Sequence, residues 1–331
     1  MTTTKETAVV VPGDMTKTIT EKTGTRPRLV LVVGPTASGK TALAVQVARH
    51  LNSVVISADS RQCYREMLVG SAAATPTEQE GVPHYFVGDR SIHQHLNAGG
   101  FATEAFDLLA TLWKTNRTVV VCGGAGLFIR ALVEGFDPLT PARPDLRRHW
   151  HDVFQNEGIL ALQKAILERD PEYARQADMQ NHQRLIRALE IMDADGRPIT
   201  ELWTRTPRER TFDCYWVGLQ PERSRLYARI NQRVDAMDAK GLENEARTLF
   251  PYGDHQALQS PGYAEWPAYW DGTITRAACL DLIRQHTRNY ARRQLTWFRR
   301  NQEIQWIPPE FEDLDSRWAW ISRNLPRLLE R

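Results

Sequence analysis

The feature that most constrains this chain is an apolar run that ends in a glycine-rich segment and is followed at once by a helical pattern. The run Arg28-Leu-Val-Leu-Val-Val33 leads into Gly34-x-x-x-x-Gly39-Lys40-Thr41, and residues 42–50 have the spacing of a helix. A strand, a glycine-rich loop and a helix in this order form a P-loop, whose backbone N–H groups and helix dipole bind phosphate. The predicted phosphate-binding residues are Gly34, Pro35, Thr36, Ala37, Ser38, Gly39, Lys40 and Thr41.

Two side chains at the end of this motif indicate what the loop does with the phosphates. Lys40 supplies a positive charge to phosphate oxygens, and the Thr41 hydroxyl is in the position that binds Mg²⁺ in such loops. The motif leaves open whether the phosphates are consumed or only depart as a leaving group.

Composition limits the remaining possibilities. The 331 residues suffice for one large α/β domain and a smaller one, and the net charge is only +2, so nucleic-acid binding requires local clusters of basic residues. The four cysteines lack metal-ligand spacing, which predicts reduced thiols in a cytoplasmic protein. No apolar run approaches the ~20 residues of a membrane span. Residues 1–27 are rich in Thr and are expected to form a disordered tail.

The order of apolar runs predicts an α/β fold with a helical insertion. After the first strand, further buried strands are expected at 53–57, 117–122 and 211–219. The stretch from 145 to about 204 has helical spacing and no strand pattern. We predict a P-loop NTPase-like parallel sheet flanked by helices, built from 28–140 and 209–331, with an all-helical subdomain inserted at 141–208.

The candidate acidic group is Asp59, which comes directly after the second predicted strand. Because functional groups gather at the carboxyl ends of parallel strands, Asp59 is expected to face the same crevice as Lys40 and Thr41. Asp59 could instead cap the next helix. The third strand ends in Cys122 and a glycine-rich turn, so the second carboxylate of a nucleotide hydrolase is missing there. That turn, 123–126, either lines a channel or packs closely against a neighbouring element.

Basic residues cluster in three helical segments. Arg184 and Arg187 share one helical face, where they either bind an acidic group or face solvent. Arg229 and Arg233 are one turn apart on another helix. The helix expected at 275–300 is rich in arginine with interleaved aromatic residues, a pattern typical of nucleic-acid binding. The same pattern also arises when the aromatic side chains pack inward and the arginines face water.

Together these motifs closely resemble those of the tRNA dimethylallyltransferases, also called isopentenyl-tRNA transferases. The order and spacing of the segments carry the resemblance, which runs from about residue 28 to 307. The matching segments are Gly34-Pro-Thr-Ala-Ser-Gly-Lys-Thr41, Asp59-Ser-x-Gln62-x-Tyr64, Gly81-Val-Pro-His84, Gly123-Gly-x-Gly126-Leu, Gln183-Arg-x-x-Arg187-Ala-Leu-Glu190, Arg229-Ile-x-x-Arg233, Gly262-Tyr263 and Thr287-Arg-x-Tyr-Ala-x-Arg-Gln294-x-Thr-Trp297-Phe-Arg299.

The resemblance implies a reaction and a set of site residues. The family transfers a dimethylallyl group from dimethylallyl diphosphate to N6 of the adenosine 3′ of the anticodon, in tRNAs that read codons beginning with U, and releases pyrophosphate. By this match the P-loop holds the diphosphate, and Thr41 holds Mg²⁺. Lys40 and Arg233, rather than Arg229, stabilise the departing pyrophosphate, and Asp59 accepts the proton of the amine. The residues expected to contact the tRNA anticodon stem-loop are Asp59, Ser60, Arg61, Gln62, Ala125, Arg147, Gln183, Arg184, Leu185, Ile186, Arg187, Arg288 and Arg292.

The chain departs from the family pattern at four positions. Ala125 stands where the family usually has Thr, and Ala73 lies in a Ser-Ala-Ala-Ala run that replaces Thr-Ala-Lys-Pro. Gln259 and Ala264 stand where basic residues are common. The loss of a hydroxyl contact costs about 1–3 kcal/mol if its partner stays buried. The loss of three cations weakens RNA binding and flattens its salt dependence.

Three alternatives belong to other functional classes. A P-loop kinase for a small molecule would require an acidic strand end, which is absent after Cys122. An adenylate isopentenyltransferase, which prenylates free adenosine phosphates, would have little use for the arginine-rich helix or the insertion. A non-catalytic RNA-binding relative would not require Lys40, Thr41 and Asp59. The expected form of the protein is a monomer without a membrane partner.

Overall fold

The computed structural model describes residues 26–135, 143–203, 210–253 and 255–329. Most of the predicted tail, 1–25, and the predicted start of the insertion, 141, lie outside these residues. The strands are β1 (Arg28–Val33), β2 (Val55–Ala58), β3 (His84–Tyr85), β4 (Thr118–Gly123), β5 (Asp213–Leu219) and β6 (Gln305–Ile307). The α-helices are α1 (Lys40–His50), α2 (Pro76–Gln79), α3 (Ala98–Leu112), α4 (Gly126–Glu134), α5 (Pro144–Glu157), α6 (Ile159–Arg169), α7 (Pro171–Gln176), α8 (His182–Asp195), α9 (Ile199–Leu202), α10 (Arg223–Ala239), α11 (Leu242–Leu249), α12 (Trp266–Trp270), α13 (Arg276–Phe298) and α14 (Leu314–Asn324).

The strands form one sheet in the order β3-β2-β4-β1-β5-β6, and every pair is parallel. All residues of β1 and β4 are buried, which explains why both strands are apolar after their first residues, Arg28 and Thr118. In the register of the sheet, Val33 at the end of β1 lies beside Gly123 of β4 and Gly218 of β5. The carboxyl ends of the central strands therefore meet at one edge, and the predicted parallel α/β sheet is confirmed.

The described chain divides into two compact units, with boundaries after Leu132 and before Arg210. The first unit contains the sheet and the helices that flank it, and part of its core lies where α1 packs on the sheet through Leu43 and Val47. The second unit consists of α5 to α9 and has its own core, in which Leu162 and Leu189 are fully buried. Among the described residues no helix has both the length and the hydropathy needed to cross a membrane.

Candidate active site

The P-loop has the backbone conformation that its glycines predict. Gly39, at the start of α1, has a φ of 87°, and Gly34 has a φ of 148°. A Cβ atom at Gly34 would lie 2.7 Å from the carbonyl oxygen of Leu219, at the end of β5, so that only glycine fits there. The ammonium group of Lys40 donates a hydrogen bond to the Pro35 carbonyl at 2.7 Å, which holds its charge at the mouth of the loop.

A cavity opens beside this loop at the carboxyl edge of the sheet, where parallel α/β proteins bind ligands. Residues from six separate parts of the first unit line it: the P-loop, the segment after β2, the end of β4 with its glycine turn, α10, the turn that contains Pro261 and Gly262, and α13. The polar side chains among its lining residues are Thr36, Lys40, Thr41, Asp59, Arg61, Gln62, Ser71, Arg233, Thr287, Tyr290 and Gln294.

Asp59 lies in this cavity together with Lys40 and Thr41, as its place after a central strand predicts. Its Oδ1 accepts hydrogen bonds from the backbone N–H groups of Arg61, at 3.0 Å, and Gln62, at 3.4 Å. Among the described residues nothing donates a hydrogen bond to Oδ2. Asp59 thus lies in the crevice, as predicted, whereas the capping interpretation is wrong: the residues after Asp59 form a turn, and the next helix, α2, is capped by Thr75. One carboxylate oxygen of Asp59 fixes the backbone of this turn, and the other stays available to a ligand.

The sequence indicated two candidate arginines on α10. Arg233 lines the cavity, and Arg229 does not. The Arg233 guanidinium donates from Nη1 to the Thr36 hydroxyl at 3.3 Å and from Nη2 to the carbonyl of Ala72 at 3.1 Å. Burial lowers the pKa of Arg233, and the nearby Asp59 carboxylate opposes that shift. The geometry thus supports the preference for Arg233 over Arg229 as the cation beside the P-loop.

Burial also affects Lys40 strongly. It lowers the pKa of Lys40 from 10.5 to about 8, and the neighbouring positive charge of Arg233 acts in the same direction, while Cys122 and Asp59 oppose it. Cys122, the next-to-last residue of β4, lines the cavity, and burial raises the pKa of its thiol to about 11. The thiol is therefore protonated at neutral pH, and no carboxylate takes its place at the end of this strand.

The glycine turn after β4 has both of the roles that the sequence left open. Gly123 and Gly124 line the cavity, whereas a Cβ atom at Gly126 would lie 2.2 Å from the Trp297 ring. The turn is tied to the P-loop by Gln294 of α13, whose Nε2 donates to the Gly124 carbonyl at 2.9 Å and whose Oε1 accepts from the Thr36 N–H at 2.8 Å. The sequence motif contains Gln294, but nothing in the sequence assigned it this function.

The predicted RNA-contacting residues of the first unit are not all on its surface. The Arg61 guanidinium lies 4.8 Å from the centre of the Tyr290 ring, and both side chains line the cavity. Gln62 accepts a hydrogen bond from the Ser57 hydroxyl at 3.0 Å. Ser60 and Ala125 are half-buried, and the N–H of Ala125 donates to the Ala58 carbonyl at 3.2 Å. Arg61 and Gln62 are thus placed to contact what enters the cavity.

The basic face of α13 is partly used within the first unit. Arg288 donates to the Asn231 side chain of α10 at 2.9 Å and lies over the Tyr227 ring. Arg292 is exposed, and its guanidinium donates to the Asn289 side chain on the same helix at 3.3 Å. Arg288 therefore helps to pack α13 on α10, which neither alternative predicted, and Arg292 faces solvent, so nucleic-acid binding by this helix stays a prediction.

In the second unit, a buried carboxylate holds two of the predicted RNA-contacting arginines. Glu190 accepts from Arg147 Nε at 2.8 Å, from Arg187 Nη1 at 2.6 Å and from the N–H of Arg143 at 2.8 Å. The side chain of Glu190 is 1% exposed, whereas those of Arg147 and Arg187 are 50% and 33% exposed. One shared carboxylate thus fixes the guanidinium groups of both arginines, which stay partly exposed at the surface.

The other predicted contacts on α8 divide into two groups. Gln183 and Arg184 are exposed. Leu185 and Ile186 are buried, at 0% and 2% exposure, in the core of the second unit. Their side chains stabilise the fold and cannot contact RNA, so the prediction was wrong for these two side chains. The apolar periodicity of α8 is the signal that could have separated them from their polar neighbours.

The cavity offers few protein ligands to a metal ion. Among residues 26–329, gaps excepted, no group of three or more His, Cys, Asp or Glu side chains could bind a metal on its own. The Thr41 hydroxyl lines the cavity and has no hydrogen-bond partner in the described part of the chain, and the buried Ser38 hydroxyl of the same loop is also unpaired. Mg²⁺ is commonly held by few protein oxygens together with substrate phosphates and water, and these residues fit such a site.

The four departures from the family pattern lie in different surroundings. Ala125 belongs to the half-buried part of the turn 123–126, and Ala73 is 9% exposed at the end of the segment that contacts Arg233. Gln259 and Ala264 are exposed, and Gln259 donates to the Gly253 carbonyl at 2.7 Å.

The parallel sheet, the glycine-rich loop and the cavity beside it define an α/β protein of the P-loop-like class. The family model described as IPP transferase matches residues 62–301, and the chain belongs to this family. The chain is 43% identical over 281 residues to the tRNA dimethylallyltransferase of Cytophaga hutchinsonii, covering 85% of this chain and 92% of the relative. It is 41% identical over 310 residues to the tRNA dimethylallyltransferase of Pelodictyon phaeoclathratiforme, covering 90% and 98%.

A solved structure agrees with these relatives. The crystal structure of the tRNA isopentenylpyrophosphate transferase of Bacillus halodurans superimposes with a TM-score of 0.67 at 34% identity, over 92% of this chain and 97% of the other. The resemblance found in the sequence motifs is confirmed, and so is the expectation that the protein is an enzyme of the prenyltransferase class.

Proposed function

We propose that this enzyme transfers a dimethylallyl group from dimethylallyl diphosphate to N6 of an adenosine in tRNA. We further propose that this acceptor is the adenosine 3′ of the anticodon in tRNAs that read codons beginning with U. The names of the most similar relatives support tRNA as the acceptor. The observation that carries the proposal is the presence of Lys40, Arg233 and the free oxygen of Asp59 in one cavity, because the reaction needs cations and a base on opposite sides of one carbon atom.

The cationic side of the cavity stabilises the leaving group. As the bond between the prenyl carbon and the diphosphate oxygen breaks, negative charge grows on the diphosphate. The P-loop N–H groups, Lys40 and Arg233 are placed to bind that charge. Thr41 would hold Mg²⁺ against the same phosphates, and the ion would supply further positive charge to the leaving group.

The acidic side of the cavity serves the acceptor. The exocyclic amine of adenine attacks the prenyl carbon and must lose one proton as the new C–N bond forms. Asp59 accepts this proton on Oδ2, while the N–H groups of Arg61 and Gln62 hold Oδ1 and fix the carboxylate. An amine stacked within the anticodon loop is out of reach, so the base has to leave the stack and enter the cavity.

The proposed tRNA-binding residues belong to both units. In the first unit they are Asp59, Ser60, Arg61, Gln62, Ala125, Arg288 and Arg292, and in the second they are Arg147, Gln183, Arg184 and Arg187. The exposed guanidinium groups supply phosphate contacts, which position RNA without reading its sequence. The residues around Asp59 contact the adenosine itself.

A direct test incubates the protein with unmodified tRNA, dimethylallyl diphosphate and Mg²⁺, and then identifies the nucleosides by mass. We expect dimethylallyl adenosine in the tRNA and an equal amount of pyrophosphate. Parallel reactions with free AMP as acceptor, and with ATP as donor, measure the two competing enzyme activities. Turnover of ATP alone would contradict the proposal, and prenylation of AMP without prenylation of tRNA would limit it to the free nucleotide.

Fragmentation of the tRNA before mass analysis locates the modified adenosine. An anticodon-loop adenosine 3′ of the anticodon, found only in tRNAs that read codons beginning with U, is the expected result. Addition of EDTA should abolish transfer, and Mg²⁺ should restore it, if the ion is needed at Thr41.

A further inference from the structure

A short segment at the rim of the cavity carries the hydrogen-bond acceptors of Arg233. The carbonyl oxygens of Ser71 and Ala72 accept from Arg233 Nη2 at 3.4 and 3.1 Å. The same two oxygens lie 3.5 and 3.4 Å from the Nε2 donor of Gln62, and a carbonyl oxygen has two lone pairs. The position of the segment 67–73 therefore determines where Arg233 and Gln62 point.

The segment 67–73 is a tight turn that is fixed from outside. Ala72 has a φ of 44°, which is uncommon for a residue other than glycine, and its N–H bonds the Val69 carbonyl at 3.0 Å. The N–H groups of Val69 and Gly70 point out of the turn, and both donate to the Glu245 carboxylate of α11 at 2.8 Å. One distant carboxylate thus holds two successive N–H groups of the turn.

Tyr263 completes this arrangement. Its hydroxyl donates to Glu245 Oε1 at 2.7 Å, and its side chain is buried. Burial, together with the charge of Glu245, raises the pKa of Tyr263 well above 10, so the hydroxyl keeps its proton and remains a donor. The ring lies against Gly70, where a Cβ atom would be 2.4 Å from the Tyr263 hydroxyl oxygen. Gly70 is therefore the residue that lets the ring contact the turn.

We propose that Glu245 and Tyr263 are positioning residues for diphosphate binding, which act by fixing the segment 67–73 and through it Arg233. Among the described residues Arg233 has no carboxylate within ion-pair distance, and its donors contact only neutral oxygens. Neutral acceptors orient the guanidinium without cancelling the charge that a diphosphate requires. The Glu245 carboxylate bonds the turn and not Arg233 itself, so it supports this geometry without competing with the ligand.

This inference rests on the proposed function, because it takes the ligand of Arg233 to be the diphosphate. The test measures binding of magnesium pyrophosphate and of dimethylallyl diphosphate to the full chain by calorimetry. For Glu245→Gln, which replaces one acceptor oxygen by a donor amide facing an N–H group, we expect both Kd values and the KM for dimethylallyl diphosphate to rise about tenfold. Tyr263→Phe keeps the ring and removes one hydrogen bond, so we expect a rise of about threefold.

Glu243→Gln is the matched control. Glu243 lies on the same helix but pairs with Arg247 and Arg276 and does not touch the segment 67–73. We expect its Kd for pyrophosphate to stay within twofold of the wild-type value. Thermal unfolding of each variant shows whether the fold is retained, and Tyr263→Phe provides the measurement if Glu245→Gln does not fold.

A double-mutant cycle separates positioning from general stabilisation. If Glu245 acts through Arg233, then Glu245→Gln changes the Kd less than twofold when Arg233→Gln is already present. A tenfold change in both backgrounds, or unchanged Kd values in the folded single variants, overturns the proposal. A wild-type protein that binds pyrophosphate but transfers nothing to tRNA contradicts the proposed function and not this inference. Prenyl transfer to tRNA by the wild type, together with unchanged Kd values for Glu245→Gln and Tyr263→Phe, contradicts this inference and not the proposed function.

Discussion

Gln294 offers the sharpest test of how the P-loop is held in place, because one side chain connects it to the glycine turn of a neighbouring strand. The change Gln294→Leu keeps the approximate volume and removes both hydrogen bonds. Gln294 is 6% exposed, and its partners are the Thr36 N–H at 2.8 Å and the Gly124 carbonyl at 2.9 Å. Both partners lie at the cavity, so the substitution disturbs the site as well as the fold.

The expected magnitude follows from what the two partners lose. The Gly124 carbonyl is buried, and leaving a buried acceptor unpaired costs about 1–3 kcal/mol. Thr36 is half-buried, so its N–H regains water in part, and loss of that bond costs about 0.5–1.5 kcal/mol. We therefore expect Gln294→Leu to lower the free energy of unfolding by about 1.5–4.5 kcal/mol. It should also raise the KM for dimethylallyl diphosphate, since Thr36 belongs to the phosphate loop.

The assay is urea unfolding of the full chain followed by circular dichroism, together with steady-state prenyl transfer. Gln259→Leu is the control, because Gln259 is exposed and loses only a surface bond to the Gly253 carbonyl. A surface change of this kind stays within about 0.5 kcal/mol of wild type. If Gln294→Leu behaves like Gln259→Leu in both assays, Gln294 does not hold the loop and the reasoning is refuted.

Four further predictions concern single residues. Asp59→Asn keeps the shape of the side chain but not the proton acceptor, so we expect transfer to fall by about 10²–10⁴-fold by nucleoside mass analysis while pyrophosphate binding is retained; near-normal activity would exclude its role as base. Because the pKa of Lys40 is lowered to about 8, its ammonium form is present below that pH and is lost above it. Calorimetry should therefore show a Kd for pyrophosphate that is flat below pH 8 and rises up to ~tenfold per pH unit above it. Lys40→Met should remove that slope. Glu190→Gln should lower the free energy of unfolding of the helical unit, measured in urea, by about 1–3 kcal/mol. This is less than for a fully buried ion pair, because the arginine partners of Glu190 are partly exposed. Arg292→Ala should weaken tRNA binding and reduce the slope of log Kd against log salt concentration by about one, whereas an unchanged slope would show that Arg292 makes no phosphate contact.

The parts of this fold that the sequence predicted are those set by local patterns. β1, the P-loop and α1 follow one another without interruption, so apolar periodicity and glycine spacing suffice to identify them. Asp59 could be placed because parallel strands bring their carboxyl ends to one edge, which requires no knowledge of strand order. The helical insertion was visible because 145–204 lacks any strand pattern, and the boundaries of the second unit fall after Leu132 and before Arg210.

The parts that the sequence could not predict depend on partners far apart in the chain. Thr36 and Gln294 are 258 residues apart, Val69 and Glu245 are 176 apart, and Thr36 and Arg233 are 197 apart. No local pattern records which of several glutamates or arginines meets a given loop. The motif that contains Glu190 likewise does not reveal that its carboxylate is buried beneath two arginines. The buried side chains of Leu185 and Ile186 are a different case, since helical periodicity predicts them and the motif match obscured them.

The charges in the cavity explain why the site is suited to a multiply charged anion. Asp59 is the one carboxylate among the described lining residues, and the Lys40 ammonium bonds a carbonyl, as Arg233 does. By contrast, Arg276 on the outside of α13 pairs directly with Asp238 and Glu243. A carboxylate partner would stabilise the ligand-free state and would have to be displaced, whereas a carbonyl orients the cation and leaves its charge uncompensated. Burial lowers the pKa values of Lys40 and Arg233, and a neighbouring positive charge adds to each shift, that of Arg233 at Lys40 and that of Arg61 at Arg233. The negative charge of a bound diphosphate raises both pKa values again. Binding of the anion should therefore be accompanied by proton uptake at Lys40 near pH 8, which calorimetry in buffers of different ionisation enthalpy detects, and an absence of uptake would contradict this account of the site.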